Sequence, residues 1–85
     1  MPIITQSTKD DIIASKEHEQ DKLFNLLTDN YTQSDYHYFS MILRREINKS
    51  NYPSIYEYLT QIGEDETVED IINEVIDDVM EYFEQ

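Results

Sequence analysis

From Val68 to Phe83, apolar side chains return every three or four residues. Val68, Ile71, Ile72, Val75, Ile76, Val79, Met80, Tyr82 and Phe83 take one half of a helical wheel. Glu66, Asp70, Glu74, Asp77, Asp78, Glu81 and Glu84 take the other half. That pattern is an amphipathic helix with one face to bury, and such a face needs other elements to cover it. Thr67 stands just before it as an N-cap.

The remainder of the chain supplies helices to do so. Thr8-x-x-Asp11 resembles a capping box with an acid in its last place. Ile12 and Ile13 follow, then a polar stretch from Lys16 to Lys22, then Leu23, Phe24, Leu26 and Leu27. Two readings fit: one helix from about Lys9 to Thr28, or a shorter helix capped by Ser15 behind an arm of residues 1–14. The single helix is adopted, with residues 1–7 as a flexible arm and Asp29-Asn30 as its end. Thr32-x-x-Asp35 opens a second helix, from about Ser34 to Asn48. Tyr36, Phe39, Leu43 and Ile47 share a face that Tyr38, Met41 and Ile42 broaden, which predicts a central position. Asn48 to Asn51 and then Pro53 stop it. Ser54-x-x-Glu57 starts a short helix carrying Ile55, Tyr58, Leu59 and Ile62, with Gly63 as its C′ residue. The expected fold is all-α: a single small domain over residues 1–85, a compact bundle of about four helices, three longer and one short. Short connections favour antiparallel neighbours.

Composition removes whole classes of function. With no Cys there is no disulfide, thiol nucleophile or cysteine zinc site, and with one Gly there is no phosphate-cradling glycine loop. His18 and His37 lie in no metal spacing. The alternative that Glu17, Glu19 and Asp21 loosely hold a cation beside His18 ranks far below a surface histidine. The acids from Glu64 to Asp70 lack the glycine of a calcium loop. The chain therefore reads as a non-enzyme without cofactor or metal. Residues 1–15 form no signal peptide, and no apolar run is long enough for a membrane span. The expected place is the cytoplasm, that of the host if the chain is phage-encoded.

The net charge is −13. Residues 64–85 hold ten acids and no base, residues 31–63 are neutral, and residues 1–30 carry −3. This argues against direct contact with nucleic acid, where lysine and arginine must neutralise phosphates. The acids of the last helix repel at i+3 and i+4, at about 0.2–0.5 kcal/mol per pair at low salt. A solvated acidic face is the bland explanation. The sharper one is charge density: carboxylates from Glu64 to Glu84 fall about every 3 Å along the helix, and one DNA strand carries a charge about every 3.4 Å. Arg44, Arg45 and Lys49 suit the negative end of the second helix, with ion pairs to the last helix, better than they suit a phosphate site.

In size and composition the chain is similar to small acidic proteins of phages and mobile elements that inhibit host nucleic-acid machinery, some by mimicking DNA. The expected function follows: an inhibitory binding protein whose Glu66, Asp70, Glu74, Asp77, Asp78, Glu81 and Glu84 occupy a basic, nucleic-acid-binding cleft of a host or rival enzyme. The alternative is an antitoxin-like or transcription-accessory module that binds through an apolar, Tyr-rich groove, its acid serving only solubility. A homodimeric helical domain is a third reading.

Overall fold

The computed structural model describes residues 6–33, 35–63 and 65–84. They form four helices, α1 (Gln6–Asn30), α2 (Tyr36–Glu46), α3 (Pro53–Gln61) and α4 (Val68–Glu84). The chain is an all-helical four-helix bundle. Its cross-section is 23 × 21 Å, drawn out to 46 Å along the axis, because 25 residues of α1 alone reach about 37 Å.

α1 is one continuous helix, longer than expected at both ends. It runs through Thr8, so the Thr8–Asp11 pair is not its start, and Gln6 and Ser7 of the expected arm are helical. The rest of that arm, residues 1–5, lies outside the described residues. α2 is shorter than its pattern predicts. Asp35, not Thr32, is the N-cap, accepting from the Tyr38 amide at 3.0 Å. The predicted start at Ser34 lies outside the described residues. At the other end Asn48 folds back instead of continuing the helix. Its Oδ1 accepts from the Ser50 and Asn51 amides at 2.9 Å each and closes the loop to α3.

α3 does not use the predicted Ser54–Glu57 box. Pro53 already occupies its first turn, where the missing N–H costs nothing, and Tyr52 gives no side-chain cap. The cap comes from α1: Glu19 Oε1 accepts from the Ile55 amide at 2.9 Å and Oε2 from the Ser54 amide at 3.2 Å. Gly63 follows α3 but does not take the left-handed conformation of a C′ glycine. Its requirement is steric, since a Cβ there would meet Tyr58 Cε1 at 2.8 Å. α4 begins as predicted. The Thr67 amide donates to Asp70 Oδ2 at 2.8 Å, and the Asp70 amide points back to Thr67 Oγ1 at 3.4 Å.

The core joins Leu23 and Leu27 of α1, Phe39 and Leu43 of α2, Ile55 of α3, and Ile71, Ile72, Val75, Ile76 and Val79 of α4, with Ile47 and Tyr52 between α2 and α3. The helices that pack are not consecutive ones: α1 lies on α3 and α4, and α4 on α2. Glu19 meets Ser54 while Lys16 lies over Tyr58, so α1 and α3 are antiparallel. Lys16 meets Glu74 and Phe24 meets Tyr82, so α1 and α4, which no short connection joins, are parallel. The central helices are α1 and α4. α2 sits at the edge with Tyr36, Tyr38 and Met41 nearly half exposed, which overturns its predicted central place. Beyond its main packing on α4, its broad apolar circumference is left partly exposed at Tyr36, Tyr38 and Met41.

Candidate functional site: an acidic flank with an aromatic end

The seven acids singled out on the last helix separate into two groups. Those near its start serve the fold. Glu66 is half-buried and accepts from the Tyr58 hydroxyl at 2.8 Å, a bond that raises the Tyr58 pKa above the usual tyrosine value. Asp70 completes the Thr67 cap. Glu69, in the same turn, forms a two-point ion pair with Arg44, 2.8 Å at each contact. That pair answers the question of the basic cluster, whose Arg44 faces α4. Glu74 is exposed and stands 4.0 Å from the Lys16 ammonium.

The second group faces outward. Asp77, Asp78, Glu81 and Glu84 are exposed, and among the described residues none forms an ion pair. Asp78 has its pKa raised. Partial burial is the main cause, followed by the charges of Glu74, Glu81, Asp77 and Asp21. The last of these is on α1. Because α1 and α4 run parallel, Glu17 and Asp21 fall beside Glu74 and Asp78, and the four acids line a groove of about 400 Å³ with Gln20, Phe24 and Val75.

Glu17 and Asp21 therefore belong to the acidic surface, although sequence reasoning placed the acidity on the last helix alone. The signal was present: at about 100° per residue, Glu17, Asp21 and Phe24 share one flank of α1. Which neighbour that flank would meet is a tertiary fact. Glu19, grouped in the sequence with the same acids, turns away to cap α3. The loose cation site beside His18 is thereby dispersed, and among the described residues no group of His, Asp and Glu is placed to hold a metal ion.

Lys16, at the start of the polar stretch, is buried, with its ammonium 4.5 Å from the centroid of the Tyr58 ring. It neutralises part of the Glu74 end of the groove, while among the described residues Asp78 forms no ion pair.

The groove ends in aromatic rings. Phe24 meets Tyr82 edge-on at 5.7 Å, Tyr82 meets Phe83 at 5.5 Å, and Phe83 stacks on Phe39 at 6.3 Å. Phe39 touches Tyr31, which meets Tyr38 edge-on at 5.5 Å. A second groove of about 480 Å³, lined by Thr28, Tyr31, Thr32, Tyr82 and Phe83, opens beyond Tyr82 and carries no charge. Of the six tyrosines from Tyr31 to Tyr58, Tyr36 and Tyr38 are exposed and Tyr52 is buried. His37 is exposed. Among the described residues no helix is long and apolar enough to cross a membrane. Compared with known proteins, the chain matches no family model, no curated protein and no solved structure.

Proposed function

We propose that this chain is an inhibitory binding protein that occupies a basic, nucleic-acid-binding cleft of another protein. The observation that carries the reading is the pairing of α1 acids with α4 acids on one flank. Glu17, Asp21, Glu74 and Asp78 line the groove, and Asp77, Glu81 and Glu84 stand outside it without basic partners among the described residues. A solvated face needs no such convergence, within which partial burial first and the neighbouring carboxylates second raise the Asp78 pKa. The carboxylates act as phosphate stand-ins. Association is fast and sensitive to salt, as for any encounter driven by complementary charge. Glu66 and Asp70, part of the site as read from the sequence, serve mainly as structural acids in this scheme. The protein works by occupancy rather than by chemistry, and its size and composition suit a phage or mobile-element product acting in the host cytoplasm.

The test is reversal of the outward acids by Asp77→Lys, Asp78→Lys and Glu81→Lys together. Glu74 is left alone because a lysine there would face Lys16. The wild-type chain, immobilised and exposed to a bacterial lysate, should retain a nuclease, polymerase, glycosylase or similar nucleic-acid enzyme that elutes with salt. The folded triple variant should not retain it. Retention of that protein by the variant at equal strength would reject the proposal.

A second reading is favoured by the uncharged groove at Tyr31, Tyr82 and Phe83 and by the half-exposed Tyr36, Tyr38 and Met41 of α2. These suit an interaction module of the antitoxin or transcription-accessory kind. Binding through them would be nearly indifferent to salt.

A further inference from the structure

Resting on the first of these readings, we infer that the cleft this protein fits is one built for single-stranded or unstacked nucleic acid rather than for the groove face of a duplex. Duplex DNA presents its phosphates and keeps its bases stacked inside, so a duplex mimic needs only charge. Clefts for single strands combine a basic groove with side chains on which bases stack. The surface described above offers both parts in sequence. Asp78 and Tyr82 are four residues apart on α4 and so neighbours on one helix flank. Tyr82 is 51 % exposed and lies between the acidic groove, which it reaches through Phe24, and the uncharged groove that it lines with Tyr31 and Phe83. Beyond Tyr31 stands Tyr38, 46 % exposed.

One turn beyond Asp78 toward the C-terminal end of α4, the exposed Tyr82 ring stands among carboxylates, with Glu81 and Glu84 exposed on either side of it in the chain. The occupant is thus a protein whose cleft carries arginine or lysine beside an aromatic or apolar stacking shelf. Carboxylates meet its cations, and the Tyr82 ring takes the place of a base. Rings held by edge-on contacts are already ordered, so presenting them costs little conformational entropy on binding.

Two proteins serve as probes: a bacterial single-strand-binding protein of the oligonucleotide-binding fold, and a helix-turn-helix repressor that binds duplex DNA. Each is loaded with its fluorescein-labelled DNA, oligothymidine or operator duplex, and displacement by the chain is followed by anisotropy at 0.05 and 0.15 M salt. The chain is expected to bind the single-strand protein at least tenfold more tightly than the repressor. Tyr82→Ala should weaken that binding about tenfold and leave its salt dependence unchanged, whereas Tyr82→Phe should keep full affinity. Tyr38→Ala, which touches only the edge of the ring cluster, guards against a folding defect in Tyr82→Ala and should weaken binding in the same direction. Equal or tighter binding to the repressor overturns the inference and leaves the charge-only reading standing. So does full affinity in both alanine variants. Binding to neither probe overturns the inference and the reading it rests on.

Discussion

Glu19 is the residue on which the placement of α3 turns. Its side chain is buried and its two oxygens accept from consecutive amides at a helix start that has no cap of its own. Glu19→Ala would leave the buried Ile55 amide without an acceptor. Such a loss costs about 1–3 kcal/mol, and charge-assisted bonds lie toward the upper end. Urea unfolding should show a loss in that range for Glu19→Ala and a smaller one for Glu19→Gln, which keeps an acceptor. Hydrogen exchange at Ser54 and Ile55 should accelerate first. A Glu19→Ala variant as stable as the wild type would mean that water replaces the carboxylate at no cost. This cap was invisible in the sequence because Glu19 and Ile55 are 36 residues apart. The Thr67–Asp70 cap, three residues long, was legible directly. Lys16 and Glu19 belong to the polar stretch of α1, yet both are buried because each answers a group on another helix.

At the level of the elements, α4 was legible because its periodicity and its cap are both local. α2 was not, because an apolar circumference states how much surface wants covering and not whether a neighbour arrives to cover it. The raised Asp78 pKa gives α4 a signature of its own. Asp78 holds its proton more tightly folded than unfolded. Between the ordinary aspartate value of about 4 and its raised value, the folded state therefore binds more protons. Stability must then fall as the pH rises through that interval and increase as the pH falls through it, with the gain complete near the ordinary value. Asp78→Asn should be more stable than the wild type at pH 7 and should lose this part of the pH dependence. Urea midpoints measured from pH 7 down to pH 4 check both, and a variant less stable at pH 7 would show that Asp78 makes a favourable contact when charged.

For the whole molecule, the chief electrostatic prediction concerns salt. Only Lys16–Glu74 and Arg44–Glu69 pair opposite charges across helices among the described residues, against a net charge of −13. Moving from 0.01 to 0.15 M salt shortens the screening length from about 30 to 8 Å. The melting temperature should rise over that range. A fall would mean that attractive pairs outweigh the repulsion. The elongated shape was not legible either, since the order in which helices pack follows from no local signal.

That order bears on how the chain comes to be folded at all. The principal packing partners are helices separated in the chain, so no pair of neighbours along the chain forms a hairpin that can stand alone. During synthesis at about 5–20 residues per second, α1 emerges about 58 residues ahead of the part of α4 it will lie against, some 3–12 seconds earlier. Through that interval the apolar side that presents Leu23 and Leu27 has only α3 to lean on. Folding thereby waits for α4 rather than growing helix by helix, and any cut that removes α4 strands the helix made first.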